Sequence, residues 1–435
     1  MSRKILYNGE LVNEGSSWTG YVVIDGNTIE KVGKGAPTVE LLAGCDERID
    51  VDGAWIFPGV IDDQVHFRDP GLTHKADIET ESAAAVAGGV TSFMDMPNTQ
   101  PPTTTIDALQ AKWQRASEVS LANYGFFIGA TNDNLNTLLS IDYTFTPGVK
   151  LFLGASTGNM LVNDKNTLKG IFSEVPALIA IHSEDEMLIR RNRDFYVNKF
   201  GEDLPIQYHQ LIRSTEVCYK STARAVEMAH KYNTRLHVLH LSTARELELF
   251  GNEPLNEKRI TAEVCVHHLW FTDSDYEKYG NLIKWNPAVK TWDDRAALRN
   301  GLNQGYIDIV ATDHAPHLLS EKQGSCLKAA SGGPLVQHSL LAMLEMAKQN
   351  VFTVETVVNK MCHAPADLYH INRRGYLRAG YFADLVVVDR NVPYTVRAEN
   401  ILSKCGWSPF LRLMLYKKGE LIMGFLDTFK GKQYK

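Results

Sequence analysis

Eight short apolar runs, separated by helix-forming or polar stretches, constrain the fold of this chain more than any other feature. They occupy residues 56–61, 90–94, 124–128, 149–153, 177–181, 236–241, 260–264 and 307–311. Runs of this length, rich in β-branched residues, are typical of strands buried on both faces of a parallel sheet. Helical patterns fall between most of them, as at 78–87, which stops at Gly88-Gly89, and at 216–232. Eight strands alternating with helices predict an α/β fold, a parallel (β/α)8 TIM barrel.

The two ends of the chain have a different pattern, of short strands joined by turns. Asn8-Gly9 and Asp25-Gly26 are hairpin-turn signals near the start, and residues 383–389 and 415–423 are strand candidates near the end. A module this small cannot close a core alone. We therefore predict a small β-sandwich domain built from residues 1–53 plus 375–435, with the barrel, residues 54–374, inserted into it.

Composition excludes several classes of function. The 435 residues carry a net charge of −6 with no basic run, and no apolar stretch approaches the ~18 residues of a membrane span. We expect no nucleic-acid or membrane partner, and a small molecule as substrate. The six cysteines are scattered without paired spacing, which favours a reduced, cytoplasmic protein. A homodimer is expected only because dimers are the commonest assembly.

Ionisable residues stand where the apolar runs end. In (β/α)8 barrels the residues that carry the chemistry lie at the C-terminal ends of the strands. Five such residues, each at a different run, are His66, Lys150, His182, His240 and Asp313. Imidazoles and a carboxylate, with no thiolate among them, favour zinc or a similar divalent ion. The sequence therefore predicts a metal centre at one end of the barrel.

Lys150 is the most informative single residue, because it lies among apolar neighbours. Burial of a lysine favours its neutral amine, which can add carbon dioxide to give a carbamate able to bridge two cations. The alternatives are a lysine paired with a carboxylate, or one that points outward between helices. His237 and His240 are three residues apart, so on a strand they face opposite sides. We expect His240 to point inward as a ligand and His237 to be structural.

Several segments together resemble the amidohydrolase superfamily and, within it, the dihydroorotases. The matching segments are Val65-His66-Phe67-Arg68-Asp69-Pro70-Gly71, Met96-Pro97-Asn98-Thr99, Ala262-Glu263 with His267-His268-Leu269, Asn286-Pro287, Thr312-Asp313-His314-Ala315-Pro316-His317 and Arg374-Gly375-Tyr376-Leu377 with Ala383-Asp384-Leu385-Val386. The first and fifth of these segments are highly specific together, whereas the last marks the superfamily rather than the reaction. The likeness covers nearly the whole chain.

The resemblance implies a function and a role for each residue. Dihydroorotases interconvert dihydroorotate and N-carbamoyl-aspartate in pyrimidine synthesis. His66, Lys150 as a carbamate, His182, His240 and Asp313 would bind one or two zinc ions. Arg68, Asn98 and His317 would hold the carboxylate of the substrate. Asn286, in a loop, is a further candidate for substrate contact, and Asp313 would also act as general base and then general acid.

The chain departs from the family pattern at two places. Dihydroorotases normally have His-x-His at the end of the first strand, where this chain has Gln64-Val65-His66. An amide oxygen is a weaker zinc ligand than an imidazole, so one of two metal positions is left open. Asn286-Pro287-Ala288-Val289-Lys290 also differs from the usual Asn-Pro-Pro-Leu-Arg. Two other functions therefore remain open: a hydantoinase or allantoinase, and a non-catalytic partner subunit that has lost a ligand.

Overall fold

The computed structural model describes residues 2–154, 160–390 and 393–411, together with the backbone of 414–416. Its centre is a barrel of eight parallel strands. In order, they are Val60–Val65, Val90–Asp95, Asn123–Phe126 with Ile128–Gly129, Val149–Phe152, Ile179–His182, Leu236–Val238, Ile260–Cys265 and Ile309–Ala311.

Consecutive strands of the barrel are hydrogen-bonded neighbours. The third strand is interrupted at Phe127, whose N–H donates to Asp95 O at 3.1 Å. A parallel bridge between Val65 and His314 joins the first strand to the end of the eighth, and His66 N–H donates to His314 O at 2.7 Å. The predicted (β/α)8 barrel is confirmed.

Helices connect the barrel strands and cover their outer faces. The α-helices are Val39–Ala43, Ile78–Ala87, Ile106–Val119, Leu135–Ser140, Lys165–Glu174, Glu186–Phe200, His209–Ile212, Thr215–Tyr232, Val266–Trp270, Tyr276–Tyr279, Trp292–Gln304, Ser339–Lys348, Val354–Val358 and Ala364–Leu368. Ile78–Ala87 has the predicted bounds because Asp77 caps its first turn and Gly88 ends it. Among the described residues, none of the helices has both the length and the apolar character needed to cross a bilayer.

Strands from both ends of the chain share one six-stranded sheet. Its members are Arg3–Asn13, Ser16–Asp25, Thr28–Lys34, Glu47–Asp50, Trp55–Pro58 and Leu385–Val388. Leu6, Val22, Ile56 and Val387 form its small apolar core. The assignment of residues 1–53 plus 375–435 to one domain and 54–374 to another stays a prediction, and residues 417–435 lie outside the described part of the chain.

The apolar run 56–61, predicted as one barrel strand, is divided between two sheets. Trp55–Pro58 pairs with Arg3–Asn13 and Leu385–Val388, whereas Val60–Val65 pairs inside the barrel. Gly59 lies at the division, and a Cβ there would come within 2.0 Å of Thr91 Oγ1. Apolarity alone does not reveal this change of sheet, because both strands are buried.

The turn signals at the N-terminus had different outcomes. Asp25-Gly26 joins Ser16–Asp25 to Thr28–Lys34 in the predicted antiparallel hairpin. Asn8-Gly9 is not a turn but an irregularity inside Arg3–Asn13, where the register shifts between Leu6 and Gly9. In the predicted strand 415–423, only the backbone up to residue 416 is described. Met414–Tyr416 pairs with Pro393–Thr395, apart from the six-stranded sheet.

Candidate active site

All nine residues that the sequence predicts for the site line one cavity of about 380 Å³. They are His66, Arg68, Asn98, Lys150, His182, His240, Asn286, Asp313 and His317. Gln64, Phe152, Ala315 and residues 330–332 complete the wall. The nine residues come from six strand ends and two loops that are far apart in sequence, and the closed barrel brings them together at the C-terminal ends of its strands.

His66 and Asp313 form the first pair of candidate ligands. His66 Nε2 lies 3.0 Å from Asp313 Oδ1, and its Nδ1 lies 2.7 Å from Asn98 Oδ1. An amide oxygen can only accept a hydrogen bond, so Nδ1 carries the proton and Nε2 presents its lone pair when the ring is neutral. Phe67 N–H donates to Asp95 Oδ1 at 2.7 Å, which fixes the segment that carries His66.

His182 and His240 form the second pair. His182 Nδ1 and His240 Nε2 lie 3.0 Å apart, and burial lowers the pKa of both rings. Neutral imidazoles are the form that binds a metal. The strand ends at Val238, and His240 has a left-handed backbone with φ 43°. The alternation of a regular strand therefore does not reach His240.

His237 also points into the barrel, contrary to the prediction that His237 and His240 face opposite sides. Its Nε2 lies 3.4 Å from Asp63 Oδ2 and 3.8 Å from Glu263 Oε2. The prediction failed because it extended the two-residue period of a strand through the left-handed turn at His240. Spacing alone does not reveal that turn.

Lys150 is fully buried, and its Nζ has no hydrogen-bond partner among the described residues. Both alternatives considered from the sequence, a carboxylate ion pair and an outward-pointing side chain, are therefore wrong. Burial is the largest influence and lowers the pKa of the amine to about 8, although Asp313 and Glu263 act in the opposite direction. A buried amine of this kind is suited to reaction with carbon dioxide.

Gln64 occupies the position at which the family has a histidine. Its Nε2 lies 3.4 Å from Asp313 Oδ1, and its Oε1 lies 3.6 Å from the thiol of Cys265. In this orientation the amide donates toward the carboxylate, and its oxygen faces the thiol. Cys265 had no predicted role, because a lone cysteine in an apolar run carries no signal of its own.

A cationic wall lies beside these groups. Arg68 donates from Nε to Pro316 O at 3.1 Å, and its Nη2 lies 3.1 Å from His317 Nε2. Lys75 Nζ lies 3.1 Å from His317 Nδ1. Burial, with Arg68 and Lys75 next, lowers the pKa of His317 to about 2, so this imidazole is neutral. Lys75 lies in a loop without a recognisable motif, does not line the cavity, and pairs with Glu321 Oε1 at 2.7 Å.

The geometry of this wall is suited to an anion. Arg68 has a left-handed backbone, φ 67°, and Asp313 has φ 46°, conformations that non-glycine residues adopt at a cost and that cluster at functional sites. Asn286 contributes a buried Oδ1 without a hydrogen-bond partner in the described part of the chain. A guanidinium donor with a neutral imidazole and two amides matches a small, polar, acidic ligand.

The donor set fits a divalent metal ion. Each pair of candidate ligands, His66 with Asp313 and His182 with His240, brings two potential ligand atoms to 3.0 Å from each other. Ligand bonds of about 2.1 Å to one tetrahedral ion give separations of about 3.4 Å, slightly longer than these contacts. The amine of Lys150, which has no hydrogen bond within the described part of the chain, completes a set of nitrogen and oxygen donors that contains no thiolate.

Comparison with known proteins agrees with the fold. The model of the family described as "Amidohydrolase family" matches residues 55–408 of this chain. The chain is 33% identical to a dihydroorotase of Methanosarcina acetivorans, over 89% of this chain and 84% of the relative. It is 31% identical to a dihydroorotase of Lactobacillus johnsonii, over 97% of both chains. The solved L-hydantoinase (dihydropyrimidinase) of Arthrobacter aurescens superposes with a TM-score of 0.89 at 25% identity, over 97% of this chain and 98% of that one. The chain belongs to the amidohydrolase family.

Proposed function

We propose that the chain is a dihydroorotase, which reversibly hydrolyses the cyclic amide of dihydroorotate to N-carbamoyl-aspartate in pyrimidine synthesis. The observation that carries the proposal is the position of the anion-binding wall, Arg68 with His317, in the same cavity as the candidate metal ligands. Dihydroorotate carries a carboxylate next to its ring, and this wall is placed to hold it. Relatives named dihydroorotase that match 88% or more of the chain support the proposal.

We propose zinc as the metal, with one or two ions per chain. His66, Lys150, His182, His240 and Asp313 would hold it, with Lys150 carboxylated on its amine. When bound, zinc supplies Lewis acidity that polarises a carbonyl oxygen and lowers the pKa of water toward ~7. Because the amide oxygen of Gln64 faces Cys265, one of the two metal positions of the family would have one ligand fewer in this chain.

The residues of the chain would divide the remaining work. Arg68 and His317 hold the carboxylate, while Asn98 and Asn286 contact the polar edge of the ring. Oδ1 of Asp313 faces His66 and Gln64, which leaves Oδ2 to accept a proton from the attacking water. Oδ2 then delivers that proton to the ring nitrogen as the amide bond breaks. His66 is oriented for metal binding by the contact of its Nδ1 with Asn98 Oδ1 at 2.7 Å.

A hydantoinase-type activity is the second candidate, because the L-hydantoinase superposes over almost the whole chain. A cyclic amide without a carboxylate would leave the cationic wall without an anion. A non-catalytic partner subunit is the third, motivated by Gln64. Against it, every other predicted ligand lines the cavity.

The test is an assay of the purified chain with dihydroorotate, hydantoin and allantoin, combined with elemental analysis. We expect turnover of dihydroorotate to exceed that of the other two, with at least one zinc per chain. A preference for hydantoin or allantoin would replace the proposed substrate. Less than about half an equivalent of metal, with no activity on added zinc, would favour the partner subunit.

We also propose that the protein works in the reducing environment of the cytoplasm. All six cysteines are buried and none forms a disulfide. Thiol mass mapping of the chain taken from cells should find six reduced cysteines, and any disulfide would contradict the proposal. A homodimer stays a prediction, which sedimentation analysis would measure.

A further inference from the structure

A second cluster of metal-type side chains lies inside the barrel but does not line the cavity. It consists of Asp63, His237 and Glu263, which come from the first, sixth and seventh barrel strands and are all fully buried. One ligand atom from each lies within 4.8 Å of the other two. Their positions are not those of the five predicted ligands, so they form a separate group.

Three atoms of this cluster have no hydrogen-bond partner among the described residues. They are Asp63 Oδ1, His237 Nε2 and Glu263 Oε2. A buried polar atom that lacks a hydrogen bond costs about 1–3 kcal/mol, and a charged one costs more. The other oxygens are used: Tyr369 O–H donates to Asp63 Oδ2 at 2.9 Å, and His240 N–H donates to Glu263 Oε1 at 3.0 Å. Each carboxylate is thus held through one oxygen, and Asp63 approaches His237 Nε2 with the same Oδ2 that accepts from Tyr369.

The hydrogen bonds around His237 determine where a neutral ring carries its proton. Thr261 O–H donates to Leu236 O at 3.3 Å, so Thr261 Oγ1 accepts from His237 Nδ1, which lies 2.7 Å away. The proton therefore lies on Nδ1, and the lone pair of Nε2 faces the two carboxylates. A ring nitrogen held in this way by a neighbour is the usual support of a metal-bound histidine.

We propose that Asp63, His237 and Glu263 bind a divalent first-row transition ion, such as Mn²⁺ or Zn²⁺, at a site separate from the metal of the cavity. One imidazole and two carboxylates are a ligand set that these ions accept. The separations of 3.4 and 3.8 Å from His237 Nε2 are close to the ~3.4 Å expected between ligands of one ion with bonds of about 2.1 Å. Two carboxylates with a neutral imidazole carry two negative charges, which one such ion balances.

The competing occupant is a proton on His237. Burial alone would lower the pKa of this ring, but Asp63 and Glu263 raise it to about 9. A protonated ring would balance one carboxylate charge, and burial, with Asp63 next, raises the pKa of the Glu263 carboxyl to about 7. The two occupants differ in metal content and in electron density, so both can be measured on the intact protein.

The first experiment is anomalous diffraction from crystals of the full chain grown with Mn²⁺. We expect a peak among the three side chains, distinct from any peak in the cavity. The second is elemental analysis of Asp63→Asn, which should contain one equivalent less than the wild type. Glu246→Gln is the matched control, because Glu246 is a buried carboxylate held by the hydroxyls of Thr222 and Thr243, each at 2.8 Å.

Asp313→Asn separates this proposal from the proposed function, because it alters the cavity alone and should keep the buried equivalent. A map of the wild type without a peak among the three residues would overturn the proposal, as would equal metal content in Asp63→Asn and the wild type. If Asp63→Asn does not fold, the map of the wild type decides alone.

Discussion

Replacement of Arg68 by Met tests the anion-binding wall most directly. Arg68 is only 7% exposed, and its guanidinium contacts Pro316 O and His317 Nε2 at 3.1 Å each. Met keeps much of the apolar stem but removes the charge and every donor. A carboxylate bound here in the wild type would then lose its charged partner.

The expected effect is large. Removal of one partner of a buried, hydrogen-bonded charge pair costs about 2–5 kcal/mol. At about 1.4 kcal/mol per factor of ten, kcat/KM for dihydroorotate should fall roughly 30- to 4,000-fold. Dihydrouracil, the same ring without the carboxylate, should bind the variant and the wild type within about threefold of each other, since it makes no ion pair with Arg68.

Steady-state kinetics with dihydroorotate and calorimetric titration with dihydrouracil measure the two effects. Arg115→Met is the matched control, because Arg115 is 43% exposed and pairs with Asp69 outside the cavity. Its kinetics should stay within about twofold of the wild type. The reasoning is refuted if Arg68→Met changes kcat/KM less than threefold, or if it weakens dihydrouracil as much as dihydroorotate.

Three further outcomes are expected. Asp313→Asn should lower kcat by about 10²–10⁴ with an unchanged thermal melt, and near-normal turnover would remove its proton-transfer role. In the metal-free chain, Lys150→Met should stabilise the fold by about 3 kcal/mol at pH 7, because burial lowers the pKa of the amine from 10.5 to about 8. That gain should vanish between pH 8 and 10.5 in denaturant titrations, and a constant gain would contradict the pKa. Burial lowers the pKa of His317 from 6.5 to about 2, so only the unfolded chain takes up this proton as the pH falls. When the pH falls from 7 to 5, the free energy of unfolding of His317→Asn should therefore decrease by about 2 kcal/mol less than that of the wild type. Equal decreases in the two proteins would contradict the lowered pKa of His317.

The barrel could be predicted because each buried parallel strand corresponds to an apolar run in the sequence. Seven of the eight runs contain one barrel strand, which in one case is interrupted. The run 56–61 was misread because two buried strands of different sheets follow each other there with only Gly59 between them. Apolar patterning reports burial, not which sheet a strand joins. The same limit applies to Asn8-Gly9, where a turn sequence lies in a strand irregularity.

The residues of the cavity could be predicted because the C-terminal ends of all the barrel strands lie at the same end of the barrel. What could not be predicted depends on backbone geometry or on loops. The left-handed backbone at His240 lets His237 and His240 both point inward, against the two-residue period of a strand. Lys75 reached His317 through the fold of a loop, for which the sequence has no periodic signal.

Folding buries several ionisable side chains inside this barrel, and their burial opposes the stability of the native state. Inward positions of a stable barrel are usually filled by Val, Ile and Leu. Here Asp63, Lys150, His237 and Glu263 are all fully buried, and each retains an atom that has no hydrogen bond to any described residue. Buried charges of this kind cost several kcal/mol each unless an opposite charge or a metal offsets them. A ligand that binds only the native state stabilises it by RT ln(1 + [L]/Kd). Cations bound in the cavity and in the buried cluster would therefore stabilise the fold through the same atoms that they use as ligands, so that folding and metal loading become one coupled equilibrium.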